Sequence, residues 1–375
     1  MSLVSKDFIR LGDLDVNFFK GIGLNKSSFS EVGNTFGIHY GQLFTEYGPV
    51  IRQARLKVID FNGSLKSQVN DVLMPTSDVT PNGLAKASSV LVDGIVLGGD
   101  ILVIRANPNV IYGPYLSHFI RFSPEQIKSL VSGSTVYHIY AKDLREFKLF
   151  LPEVSEQKAI AKALSDIDEL IETLKIELNK KIDMLASINQ RIFAGNGLPG
   201  SKFEFQNFGE ICSIVTGKKD VNEGSPQGEY PFFTCSINNT WSDSYSFDTE
   251  AILIAGNGDV GNLHYYNGKF EAYQRTYVCA DFKLNPRYIW FYLNYGLAEN
   301  LGLNKVGSTI PYILKSQLTD FKIPVPSNRI YIDEIVNTLE AFTSEIELLK
   351  EEVTKYECIK QGMAHDLLTG KVRLV

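Results

Sequence analysis

The sequence predicts an α+β protein: two mixed α/β globular domains separated by two long helices that pair as an antiparallel coiled coil, with an internal pseudo-twofold repeat. Three features carry that prediction. A segment occurs twice at a constant offset, a heptad pattern follows each occurrence, and the stretches between are rich in glycine, tyrosine and phenylalanine. Of 375 residues 44% are apolar, and a mean hydropathy of −0.05 excludes a disordered or fibrous chain.

The repeat is the primary signal, because a period in the chain sets the architecture. Residues 133–152 read GSTVYHIYAKDLREFKLFLP and residues 307–326 read GSTIPYILKSQLTDFKIPVP, in register at an offset of 174. Gly133, Ser134 and Thr135 match Gly307, Ser308 and Thr309; Leu144 matches Leu318, and Phe147-Lys148 matches Phe321-Lys322. Each copy leaves through a Phe-Lys-x-x-x-Pro segment, ending at Pro152 and Pro326.

A heptad run follows each exit. In the first, Ile160, Ile167, Leu174 and Ile188 keep one register and Leu164, Ile171, Leu178, Leu185 and Ile192 the other, interrupted by Lys181. In the second, Ile335, Phe342, Leu349, Tyr356 and Met363 keep one register and Leu339, Ile346, Val353 and Leu367 the other, interrupted by Lys360. Sustained heptads keep a narrow apolar seam facing a partner helix, so these are coiled-coil helices that pair antiparallel with each other. Pro152 and Pro326 precede them, Ser155 and Ser327 are candidate N-caps, and Gly195 and Gly370 follow their ends. The span 160–192 is about 50 Å long at ~1.5 Å per residue. The lysines at the seam set register, meet an acid, or snorkel to water.

Between the helices, β-prone runs such as Ala251-Ile252-Leu253-Ile254 are punctuated by turn pairs such as Asn82-Gly83 and Asn267-Gly268. The expected division is a globular domain at 1–152, a spacer helix at 153–197, a second globular domain at 198–326, and a second helix with its tail at 327–375.

Four cysteines without a CxxC pair and five histidines without ligand spacing predict no structural metal site. Neither a cleavable leader nor a long apolar run is evident, which predicts a cytoplasmic location with no membrane contact. The run Gly256-Asn257-Gly258-Asp259-Val260-Gly261 spells GxGxxG, but the strand-like residues after it reject a dinucleotide site, which needs a helix there. Glu153, Glu156, Gln157 and Lys158 resemble a nuclease motif only faintly and suit the first turn of a helix. With no nucleophile elbow, zinc helix or P-loop lysine, the chain reads as a binder rather than a catalyst, with no cofactor of its own.

The formal charge is −6, which excludes a wholly basic nucleic-acid coat. By segment, residues 1–152 carry a net +2, whereas the other three segments carry −2, −3 and −3. Basic residues cluster at Arg52, Arg55 and Lys57 and at Lys218 and Lys219. Base-reading side-chain types gather at Asn238-Asn239, Asn257 and Gln274-Arg275, and hydroxyls at Ser134-Thr135 and Ser308-Thr309. Lysine and arginine grip phosphates, and Asn, Gln and Arg match base edges, so these are the candidate DNA contacts. A coiled-coil protein-interaction scaffold without DNA readout is the competing function.

Two unlike globular segments, each followed by a GST-containing run, a Phe-Lys-x-x-x-Pro exit and a long heptad helix, resemble the specificity subunit of type I restriction-modification systems along essentially the whole chain. Leu151-Pro152-Glu153 with Glu156-Gln157 and Ile160-Ala161 is similar to that family's first conserved helix start, although Ser327-Asn328-Arg329-Ile330 departs from it in the second copy. Tyr230-Pro231 through Tyr277-Val278, with Ile252-Leu253-Ile254-Ala255, Gly258 and Gly268-Lys269-Phe270, resembles one of its target-recognition domain types. The resemblance implies that each globular domain reads half of a bipartite site on double-stranded DNA while the helices set the gap, and the difference in sequence and length between the two globular segments predicts unlike half-sites, an asymmetric target. The resemblance also implies that two modification subunits, methyltransferases that would flip adenine into their own site, dock on the frame and that restriction (translocase and nuclease) subunits join them.

Overall fold

The computed structural model describes residues 8–24, 26–30, 33–59, 63–193, 202–302 and 312–374. It divides into two compact units, one of Met1–Lys175 with Glu351–Val375 and one of Ile176–Lys350. The two long helices span Val154–Phe193 and Ile330–Leu368. Chain order separates helix from globular part, but packing gives each unit a piece of both helices.

In the first unit a five-stranded sheet runs in the order Val16–Lys20, Ile101–Ala106, Val72–Pro75, Ser88–Val90, Val50–Ile51. Strand Ile101–Ala106 is apolar along nearly its whole length because both faces are covered. Leu102 and Ile104 meet Tyr115, Phe119 and Phe147 on one face. Ile101 and Val103 meet Ile38, Leu43 and Leu97 on the other. Arg105 is the polar exception, and its guanidinium is spent on buried Asp71 at 2.8 Å.

Helix Gly113–Phe122 lays its apolar face on this sheet, with Pro114 in the first turn where its missing N–H costs nothing. The hydroxyl of buried Tyr115 donates to the carbonyl of Phe150 at 2.6 Å. In the second unit Tyr288, from helix Pro286–Asn300, donates in the same way to the carbonyl of Pro324 at 2.6 Å. The repeat therefore extends back to a tyrosine that ties helix to exit segment in each unit.

The first long helix begins just after Pro152, which cannot continue a backbone ladder. Ser155 lies inside its first turn and is no N-cap. Gln157, fully buried, accepts from the Tyr112 N–H at 2.8 Å and donates to the carbonyls of Val110 at 3.0 Å and Pro152 at 2.8 Å. Glu156, also buried, receives the Arg373 guanidinium from the far end of the chain. This pair therefore serves packing. At the second helix Asn328, rather than Ser327, makes the cap, its Oδ1 accepting from the Ile330 N–H at 3.2 Å. Gly370 follows that helix at φ 65°, the left-handed conformation a C-terminal glycine adopts without steric cost. Gly195 lies outside the described residues.

Along the seam Ile160, Leu164, Ile167, Ile171 and Leu174 are buried, and Leu178 and Leu185 half-buried. On the second helix Ile335, Leu339, Ile346 and Val353 are buried, and Phe342 and Leu349 half-buried. In the first unit Lys360 meets Asp168 at 2.5 Å and Lys175 meets Glu357 at 2.6 Å. In the second, Lys181 meets Glu345 at 2.5 Å and stands 5.5 Å from the Phe342 ring centre. In the first unit the partner number falls as the helix number rises, so the two helix pieces run antiparallel there. Such partly exposed pairs contribute at most about 1 kcal/mol, less than the ~1.5–3 kcal/mol of a buried leucine. The seam lysines thus fix register at some cost in stability.

The second unit holds a six-stranded sheet in the order Ser213–Thr216, Thr276–Ala280, Phe247–Ala255, Leu263–Ala272, Tyr230–Phe233, Thr240–Ser242. Its one parallel junction joins Tyr230–Phe233 to Leu263–Ala272. Ile252, Ile254 and Cys279 pack on Tyr288, Ile289 and Leu293, and the same core takes Ile192 and Phe193 from the first long helix and Ile335, Val336 and Leu339 from the second. No helix among the described residues is long and apolar enough to cross a membrane.

His118, on helix Gly113–Phe122, is buried with Nε2 3.1 Å from the Ser165 hydroxyl and Nδ1 4.0 Å from Asp168. Burial first, then Lys360 and Arg121, push its pKa down to about 3. An unfolded chain, with its imidazole near 6.5, binds one more proton between those values. Stability attributable to His118 is thus complete above pH ~6.5 and falls as pH drops toward ~3. Urea midpoints followed across that window are expected to fall less steeply for His118→Gln; identical slopes would exclude the histidine as the cause.

Candidate nucleic-acid interface

The first basic cluster is split by the fold. Strand Leu56–Val58 carries Lys57 beside Phe36 of strand Thr35–Ile38, its ammonium 5.9 Å from the ring centre. Arg52 and Arg55 instead line a cleft of about 930 Å³ whose other cations are Arg121, Lys175 and Lys360, whose carboxylates are Glu46, Asp168, Glu169, Glu172 and Glu357, and whose wall includes the uncharged His118. Arg52 meets Glu169 at 3.2 Å, both more than half exposed, a pair that phosphate can displace at little cost. Arg121 is less available. Burial lowers its pKa to about 10, and its donors go to the carbonyls of Ala87 and Tyr47 and to the Ser88 hydroxyl. Ser134 and Thr135 occupy an exposed turn closed by the bridge between Ser132 and His138. Ser308 and Thr309 lie outside the described residues.

The second unit brings its candidates together. The segment after Gly217 runs beside Tyr273, the Gln274 N–H donating to the Lys219 carbonyl at 3.0 Å. The Gly256 N–H donates to the Arg275 carbonyl at 3.0 Å, and the Cys235 thiol donates to the same carbonyl at 3.3 Å. The Asp259 N–H donates to the Cys235 carbonyl at 3.0 Å. Four loops are thus stitched into one edge on which Lys218, Asn238, Asn239, Gln274 and Arg275 are exposed and Asn257 is half-buried. GxGxxG forms the turn between strands Phe247–Ala255 and Leu263–Ala272 and opens no helix.

Lys219 differs from its neighbour. Its ammonium turns inward to Glu271 at 3.4 Å and to the hydroxyls of Ser242 at 2.9 Å and Ser244 at 2.7 Å. It holds the loops that present the others. Sequence reading missed Ile237, 66% exposed at the tip of one loop, and the residues beneath it, Asp259, Asn262 and His264. The signal was slight: an apolar residue inside a polar run. Among the described residues no cluster of His, Cys, Asp and Glu could hold a metal ion.

The family described as type I restriction modification DNA specificity domain matches residues 7–184 and 200–356. The EcoDI specificity subunit of Escherichia coli is 39% identical over 147 residues, 39% of this chain and 33% of that protein. The putative MjaX specificity subunit of Methanocaldococcus jannaschii is 27% identical over 318 residues, 74% of this chain and 72% of that one. In fold, the chain is similar to the crystal structure of a type I restriction-modification S subunit from M. genitalium, with a TM-score of 0.69 at 16% identity over 98% of this chain and 97% of that one.

Removing one partner of a largely buried ion pair leaves the other charge uncompensated. Lys219→Ala is expected to lower the stability of the chain by about 3 kcal/mol, and Lys218→Ala by less than about 0.5 kcal/mol. Equal urea midpoints for the two variants would show that the Glu271 pair holds nothing.

Proposed function

Because the chain belongs to the type I restriction modification DNA specificity family, we propose that it is the non-catalytic DNA-reading subunit of a restriction-modification complex, each globular unit reading one half of a bipartite site. The observation that carries the reading is the single edge of stitched loops in the second unit, where cationic and amide side chains stand exposed on a fixed backbone. Lys218 and Arg275 suit phosphates, and Asn238, Asn257 and Gln274 suit base edges. In the first unit Arg52 and Arg55, which line the cleft, supply the phosphate grip, and Ser134 and Thr135 stand on a separate exposed turn. The two sheets differ in strand number and order, which supports unlike half-sites and an asymmetric target.

The long helices act as the spacer and as the frame on which two modification subunits dock, with restriction subunits joining that assembly. Methyl transfer and cleavage belong to those partners. A seam whose register is held by ion pairs suits a ruler, since a slipping coiled coil cannot define a length.

In complex with its modification partner, the chain is expected to protect a bipartite motif on random duplex DNA and to lose about a thousandfold in affinity between ~50 and ~200 mM salt. Protection without a split motif, or binding indifferent to salt, overturns the reading in favour of a protein scaffold. Inserting four residues into both helices adds ~6 Å, about two base pairs at ~3.4 Å each, to the gap between half-sites. A motif with an unaltered gap excludes the ruler.

A further inference from the structure

The loop that follows strand Tyr230–Phe233 is pinned from below by the glycine-rich turn. The Ile237 N–H donates to Asp259 Oδ2 at 2.9 Å, and the Asp259 N–H returns to the Cys235 carbonyl at 3.0 Å. Asn262 Nδ2 and His264 Nε2 both stand 3.3 Å from the Ser236 carbonyl. Gly258, at φ 64°, lets the turn come so close that a Cβ there would lie 3.0 Å from the Cys235 carbonyl oxygen. The result is a rigid tip that holds Ile237 66% exposed beside exposed Asn238 and Asn239. A backbone ordered in advance loses little freedom on binding, and an isoleucine held in water gains about 0.8 kcal/mol for each methyl group covered.

We infer that Ile237 is a specificity-determining residue that packs against the C5-methyl of a thymine in the major groove of the half-site read by the second unit. The inference deepens the DNA-reading function and rests on it. Among the four bases only thymine offers an apolar group on that edge, and an amide is the side chain that pairs with the adenine face. Ile237 flanked by Asn238 and Asn239 carries both chemistries at one fixed tip, on the same edge as the cations Lys218 and Arg275. Asp259 acts as a positioning residue, holding the tip without touching DNA.

The test uses the complex with its modification partner and its own target duplex, replacing each thymine in turn by deoxyuridine, which lacks only the methyl group. At one thymine the wild-type complex is expected to lose about fourfold in affinity, the equivalent of ~0.8 kcal/mol. Ile237→Ala loses the same factor on unmodified DNA and is then indifferent to that deoxyuridine. Because Ile237 is exposed, the variant folds, and Ile237→Val, which keeps a branched apolar tip, retains part of the sensitivity. A target with no methyl-sensitive thymine, or a sensitivity that survives in Ile237→Ala, overturns the inference while leaving the DNA-reading function standing. Absence of sequence-specific binding by the wild-type complex overturns both.

Discussion

Lys181 and Lys360 stand at seam positions where a heptad helix normally buries leucine, and each is met by a carboxylate of the opposite helix within its own unit. Everything else depends on the register that these pairs enforce. It decides that Ala364, Leu367 and Leu368 arrive against Ile160, Leu164 and the sheet of the first unit rather than one turn away. It also brings Arg373 to buried Glu156, so the end of the chain closes the unit that its beginning opened. A purely apolar seam would be more stable and would tolerate a slip, which costs a leucine zipper little but would strip this core of its last helix turn.

On that shared frame the two units solve one structural problem identically and another differently. The common solution is the tyrosine of the first amphipathic helix, Tyr115 or Tyr288, whose buried hydroxyl is satisfied by the carbonyl of the exit segment. A buried hydroxyl without such a partner is costly, so the pair fixes where the long helix can begin. The sheets differ, with a five-stranded and a four-stranded sheet beside two short ladders in one unit and a six-stranded sheet beside one short ladder in the other. Loops on unlike sheets present unlike surfaces, which is what separate reading of two half-sites requires.

The glycine-rich run 256–261 shows how a motif acquires meaning from its surroundings. Its spelling suits a nucleotide, its context is a β-turn, and its use is to let Asp259 approach and fasten the loop carrying Ile237. Lys218 and Lys219 are adjacent and identical in type, yet one faces water and the other neutralises Glu271 inside the sheet. The segment after Gly217 turns Lys219 toward Glu271 through its bridge to Tyr273 and leaves Lys218 in water, and a count of charges in sequence is blind to that.

The helices, their antiparallel pairing and the twofold architecture were legible from period alone, because a seam must repeat every seven residues to stay covered, and the duplicated exits at Pro152 and Pro326 marked where each helix starts. The tyrosine ties were not legible, since a single side chain has no period. The grouping of Lys218, Asn238, Asn257 and Arg275 on one edge was hidden for a similar reason: they are separated by up to 57 positions and are joined only through backbone hydrogen bonds between loops. Nor could the chain reveal that Arg52 faces a cleft while Lys57 lies over Phe36 of the neighbouring strand in its own sheet. Periodic burial is written locally and the sequence determined it alone; the meeting of distant loops is set by strand order and long-range hydrogen bonds, which only the tertiary structure decided.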